Sequence, residues 1–133
     1  MDAKMKSTSP QHRIRMVLGF VVDNERALLI KKRRGLGRGL YNGFGGKARD
    51  SESYESALKR EAREEIGIGV KKALLKAVLH FTDGKTFIEC PVFLVNEFEG
   101  EIKESEEAIP VWFKKDELPF EQMWPDDKYW LPL

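Results

Sequence analysis

The sequence predicts an α/β fold, a strand-rich chain built around one long helix, on three observations. Short apolar runs bounded by turn residues recur along the chain, one stretch carries an apolar stripe at helical spacing, and a glycine-dense segment joins the two kinds of pattern. The 133 residues are enough for a single domain around one core. Hydrophobic residues make up 41% and charged residues 34%, the composition of a globular protein and not of a disordered or fibrous one. A single domain over residues 1–133 is expected, with 1–11 a polar, flexible arm.

Residues 14–22 are rich in Val, Leu, Ile and Phe and read as a strand. Asp23-Asn24 makes a turn, and 27–31 reads as a second strand. Between Gly35 and Gly46 there are six glycines in twelve residues, so that segment is expected to be a loop shaped by its backbone. From Ser53 to Ile66 the residues Tyr54, Leu58, Ala62 and Ile66 recur every fourth position, giving a helix with one apolar stripe. Asp50, Ser51 or Ser53 can cap its start, and Gly67 ends it. Strands at 73–81 and 86–95, joined around Asp83-Gly84, and a short one at 109–113 complete the pattern, followed by an irregular segment at 116–120. Cys90, inside an apolar run, reads as a small core residue.

Several classes are disfavoured at once. Net charge is +1, from 23 Lys and Arg against 22 Asp and Glu, which argues against nucleic-acid and membrane-surface partners. No apolar stretch approaches the ~20 residues of a membrane span. The first ten residues hold Lys4, Lys6 and Pro10 but no apolar segment of signal-peptide type. One cysteine permits no internal disulfide, which points to a reducing, cytoplasmic compartment. A monomer is expected.

Chemistry enters on the helix. Glu61, Glu64 and Glu65 stand at i, i+3 and i+4, so their carboxylates are expected on one patch. Such like charges destabilise a helix by a few tenths of a kcal/mol per pair unless something compensates. A hard cation such as Mg²⁺ takes carboxylate oxygens and keeps waters available for reaction. Arg60, beside the cluster, can orient a carboxylate. The alternative is a solvated charged face. The wider spacing decides between them: Gly46, five residues, Glu52, seven residues, then Arg60-Glu61-Ala62-Arg63-Glu64-Glu65-Ile66-Gly67-Ile68. A P-loop is excluded by Tyr41 and Ala48, and Gly35, Gly37 and Gly39 do not form a dinucleotide fingerprint.

That pattern resembles the Nudix box, Gx5Ex7REUxEExGU with U a bulky aliphatic, and departs from it only at Ala62. The resemblance implies a Nudix α/β/α sandwich with a mixed sheet and a loop–helix–loop catalytic module. It also implies a Mg²⁺ site, with Mn²⁺ as a substitute, held by Gly45 through its carbonyl and by Glu61, Glu64 and Glu65. Glu107, before Pro110-Val111-Trp112-Phe113, stands where such enzymes often bring a further acid. Its alternative is one exposed glutamate in an acidic run.

Lys32–Lys47 (KRRGLGRGLYNGFGGK) and Met123–Pro132 (MWPDDKYWLP) further resemble the 8-oxo-dGTP diphosphatases of the eukaryotic, sanitising type. This implies hydrolysis of oxidised purine nucleoside triphosphates to monophosphate and pyrophosphate. Lys32, Asn42, Phe44, Lys47, Trp124, Pro125, Asp126 and Asp127 would then bind the nucleotide. The physical logic agrees. Trp124 offers a flat face for a purine, and two adjacent carboxylates enclosed together would share a proton, giving one donor and one acceptor. Alternatives stand beside each: Asn42-Gly43 as a hairpin turn, Trp124 as a core aromatic, Asp126-Asp127 as a helix cap. His80 and Phe81 can line a pocket, although core packing is the expectation for Phe81. Leu36 and Tyr41 depart from the aromatic residue and the Trp of that group. The chain ends at Leu133 where those relatives continue through a helix and a closing strand, so either a short variant or a truncated sequence is expected. Two other readings stay open, a Nudix hydrolase of another nucleoside diphosphate linked to a group X and a binding module without catalysis.

Overall fold

The computed structural model describes residues 12–33, 39–119 and 123. Seven strands form one mixed sheet: β1 (His12–Val22), β2 (Arg26–Lys32), β3 (Tyr41–Asn42), β4 (Phe44–Lys47), β5 (Gly69–Thr82), β6 (Thr86–Glu99) and β7 (Ala108–Lys114). The helix α1 (Tyr54–Ile66) lies between β4 and β5 in the chain. The sheet runs β3-β2-β1-β6-β5, with β7 on β2 and β4 on β1. Among the described residues only β1 and β6 pair in parallel, in register from His12–Thr86 to Val21–Val95. The other pairs are antiparallel.

The centre of the sheet is where the site is made. Strands β1 and β2 pair at their hairpin end, through Val21–Leu28 and Val22–Ala27. Further along, β3 takes β2 as partner through Ile30–Asn42, and β4 takes β1 from Met16–Lys47 to Gly19–Phe44. The expected glycine loop is therefore partly strand. A chain that crosses from one strand to the other within a single residue must pack its backbone closely, and a Cβ on Gly43 would overlap the Gly19 carbonyl oxygen.

The apolar stripe of α1 settles the helix on this sheet. Ala57, Leu58, Ala62 and Ile66 are buried and join Val17, Val21, Leu28, Ile30, Phe44 and Val95 in one cluster. Ala62, the departure from the motif, is fully buried in that cluster. Ser53 caps the helix by accepting from the Ser56 N–H. Gly67 ends it at φ 75°, a left-handed conformation natural to glycine, with its N–H on the Arg63 carbonyl. A second cluster of Phe20, Leu29, Val92 and Met123, with Tyr41, Leu79 and Phe113 packed against it, completes the core. Among the described residues α1 is the only helix on the sheet. Cys90 is buried as expected, and burial pushes its thiol up to about 11, which leaves it unreactive. Phe81 corrects an expectation: it lies on edge strand β5 and is exposed instead of packed in the core.

Candidate active site

Two elements meet at the acidic face of α1: the turn from β4 into α1, and the C-terminal half of the helix itself. Glu65 is 6% exposed, which is extreme for a carboxylate without a basic partner. Its Oε2 accepts the Gly45 N–H at 2.9 Å. The Glu61 carboxyl is hydrogen-bonded to it, and Glu107 is near enough for its charge to act there. Burial, then the Glu61 contact, raise the Glu65 carboxyl far above the usual carboxylate range.

Arg60 holds the other acids. Its Nε donates to Glu52 Oε2 at 2.7 Å and its Nη2 to Glu52 Oε1 at 3.0 Å, a forked pair. The same Nη2 donates to the Lys47 carbonyl at 3.0 Å. Nη1 reaches Glu61 Oε2 at 3.1 Å and Glu64 Oε1 at 3.3 Å. Arg60 thus holds three carboxylates and ties the entry loop to the helix. The expected convergence of three carboxylates is partial. Glu61 and Glu65 turn inward together, while Glu64 is 54% exposed and leans on Arg60. Among the described residues no three Asp, Glu, His or Cys side chains stand ready as a ligand set.

The donor chemistry nonetheless suits a hard cation. Two carboxyls in hydrogen-bond contact, one of them buried, need a positive charge between them; a proton serves, and a divalent ion serves better. Glu61, Glu65 and the adjacent Glu64 are the acids that would hold it. Glu107 lies on the chain entering β7, where its carbonyl accepts from the Arg33 N–H, and its charge acts on the Glu65 carboxyl.

The residues expected to bind substrate fare unevenly. Lys32 ends β2 and Lys47 ends β4, both exposed and available to an anion. Asn42, on β3, pairs with Ile30 of β2 while β4 pairs with β1, so Asn42-Gly43 joins no hairpin; the Asn42 Oδ1 accepts the Gly43 N–H at 2.8 Å. Phe44 is 2% exposed, and its ring fills the space a Cβ on Gly19 would need, so among the described residues its side chain packs in the core. Trp124, Pro125, Asp126 and Asp127 lie outside the described residues, although Met123, next to them in the chain, is packed in the second cluster. His80 contacts Glu89 at 3.4 Å and stacks on Phe87 at 5.3 Å, away from the acids of α1. Arg15 was not visible in the sequence as a site residue, and neither was the structural part played by Glu52. Nothing but the fixed Glu52–Arg60 spacing signals the latter.

Glu52 also sets an acid limit on the site. The Arg60 hydrogen bonds first, and the Arg49 N–H second, hold its carboxyl down to about 2, against 4.5 in the unfolded chain. A depressed carboxylate stabilises the fold above its unfolded value, and that contribution disappears as pH falls toward the folded one. Melting temperatures of wild type and Glu52→Gln should therefore differ above about pH 4.5 and converge toward about pH 2. A constant gap across that window would show the ion pair contributes nothing.

Paired carboxyls on a helix beneath a glycine turn, steered by one arginine, are donors of the kind that cation-assisted hydrolysis of phosphoric anhydrides uses. The known proteins agree. The NUDIX domain model matches residues 12–133. The chain belongs to the Nudix family, and within it to the hydrolases. A Mus musculus protein named oxidized purine nucleoside triphosphate hydrolase is 41% identical over 120 residues, which cover 87% of this chain and 76% of that protein. A Proteus vulgaris 8-oxo-dGTP diphosphatase is 35% identical over 103 residues, 74% of this chain and 90% of that one. The crystal structure of a MutT NUDIX hydrolase from Burkholderia pseudomallei superposes with a TM-score of 0.74 at 32% identity, covering 81% of this chain and 88% of that chain. No helix among the described residues is long and apolar enough to cross a membrane.

Proposed function

We propose that this chain hydrolyses oxidised purine nucleoside triphosphates such as 8-oxo-dGTP to the monophosphate and pyrophosphate, and so clears damaged nucleotides from the pool. The observation that carries the chemistry is the buried Glu65 carboxyl, bonded to Glu61 and to the Gly45 N–H. The substrate class is supported by the mouse and Proteus relatives. Mg²⁺, or Mn²⁺ in its place, would be held by Glu61, Glu64, Glu65 and the Gly45 carbonyl with Glu107 nearby; it supplies charge neutralisation and an acidified water. The chain's own part is to hold those acids in place through Arg60 and to present Lys32 and Lys47 to the phosphates. Trp124, Pro125, Asp126 and Asp127 would read the base, with Asn42 adding an amide. The protein acts as a cytoplasmic monomer on a small-molecule substrate in this reading.

A pyrophosphate-release assay with Mg²⁺ on 8-oxo-dGTP, 2-hydroxy-dATP, dGTP and ADP-ribose tests this. The highest kcat/KM is expected on an oxidised purine. Preference for ADP-ribose would move the protein to another branch of the family, and no release from any of the four would make it a binding module. Trp124→Ala should cost the oxidised substrate about 1–3 kcal/mol of binding, seen mainly in KM. An unchanged KM would place Trp124 outside the pocket.

A further inference from the structure

The loop from β4 into α1 is gripped from two sides, and only one grip belongs to the recognised motif. Arg60 holds it from the helix, by the Lys47 carbonyl and the Glu52 carboxylate. Arg15 holds it from β1. Its Nη2 donates to the Glu52 carbonyl at 2.6 Å and its Nη1 to the Arg49 carbonyl at 3.2 Å. Its own carbonyl accepts the Ala48 N–H at 2.8 Å.

The guanidinium is itself fixed. It lies 4.6 Å over the Tyr54 ring, and the Tyr54 hydroxyl donates to Glu89 Oε1 at 2.6 Å. Arg15 and Glu89 are partners across the β1–β6 pair, so the arginine is braced by the sheet that carries it. Glu52 is the shared node: its main chain is bound by Arg15 and its side chain by Arg60. Arg60 in turn sets Glu61 and Glu64.

We infer that Arg15 is a positioning residue for the hydrolytic site, fixing Glu52 so that Arg60 holds the cation-binding acids in register. A forked guanidinium spans two carbonyls, and a lysine ammonium in its place serves one at most. Hydrogen-bonded supports that orient metal ligands are typically worth about 10–100-fold in metal affinity or activity, and Arg15 acts on the ligands through Glu52 and Arg60. The inference deepens the hydrolase reading and rests on it for its kinetic arm alone.

The test measures Mn²⁺ binding by electron paramagnetic resonance to nucleotide-free protein, beside kcat and KM, for wild type, Arg15→Lys, Arg15→Met, Glu52→Gln and Arg15→Met with Glu52→Gln. Arg15→Met is expected to weaken Mn²⁺ binding and lower kcat by about 10–100-fold, with KM for the nucleotide little changed. Arg15→Lys, which keeps charge and stem, should fall between it and wild type. Because both changes act through one node, the double variant should lose no more than the worse single one. Additive losses overturn the inference. So does a lowered melting temperature with unaltered Mn²⁺ affinity and kcat, the mark of a merely structural role. If Arg15→Met does not fold, Arg15→Lys decides alone, and wild-type Mn²⁺ affinity there overturns the proposal. Mn²⁺ binding without hydrolysis of any nucleotide would sink the substrate reading and leave the Arg15 arm intact.

Discussion

Glu65→Gln is expected to lower kcat by at least ~10²-fold while the protein folds normally, the scale on which loss of one preorganised electrostatic group is felt. The amide matches the carboxyl in shape, and its oxygen still accepts the Gly45 N–H that Glu65 now accepts at 2.9 Å. What it lacks is the capacity to become an anion. Burial and the Glu61 contact raise the Glu65 carboxyl, and a bound cation would favour its anion, a state an amide cannot reach. Glu64→Gln should cost a similar factor by a different route. Glu64 is half exposed, and its change removes an acid that Arg60 steers without disturbing the core. Steady-state turnover with Mg²⁺, beside circular dichroism and melting curves, separates loss of chemistry from loss of fold. Wild-type turnover in either variant would show that the glutamate concerned does not hold the cation.

Neighbouring glycines should fail in different ways. A Cβ on Gly45 would overlap the Val17 carbonyl oxygen of β1, and φ there is 151°. The obstacle is backbone within a strand pair, which has nowhere to go. Gly45→Ala is therefore expected to cost more than the ~1–3 kcal/mol of ordinary overpacking and to yield little folded protein. A Cβ on Gly46 would instead stand 2.7 Å from Glu61 Oε2. That carboxylate can swing aside, so Gly46→Ala should fold and lose about 10–100-fold in activity through a displaced Glu61. Soluble yield and melting temperature measure the first loss, and kcat of the purified protein the second. The reverse pattern, with Gly45→Ala folded and Gly46→Ala not, would mean that the turn is packed otherwise.

The elements most legible in the sequence were those set by local rules. Ser53 and Gly67 bracket α1 as cap and terminator because both act within one turn of chain. Leu58, Ala62 and Ile66 are buried because four-residue spacing keeps them on one face. Long-range pairing was less legible. Tyr41–Lys47 reads as loop because its partners, Ile30 and Met16 to Gly19, are remote in the chain and strands this short carry no alternation of their own. The burial of Phe44 was illegible for the same reason: it stands among glycines in the chain, and β4's pairing with β1 is what turns its ring into the core. Fixed spacing pointed to the carboxylates that Arg60 holds, Glu52, Glu61 and Glu64. It did not find Arg15, whose target is main-chain carbonyl oxygen, and carbonyls leave no imprint in an amino-acid sequence.

That last feature bears on how such a loop can drift. Between Gly46 and Glu52 the recorded anchors are the carbonyls of Lys47 and Arg49 and the N–H groups of Ala48 and Arg49. Every residue type except proline carries both groups. Side-chain identity across those five positions is thus nearly invisible to the clamp, whereas their number is not, because one insertion would shift each amide off its arginine or carboxylate. A stretch written as "any five residues" is a ruler: free in its lettering and strict in its length.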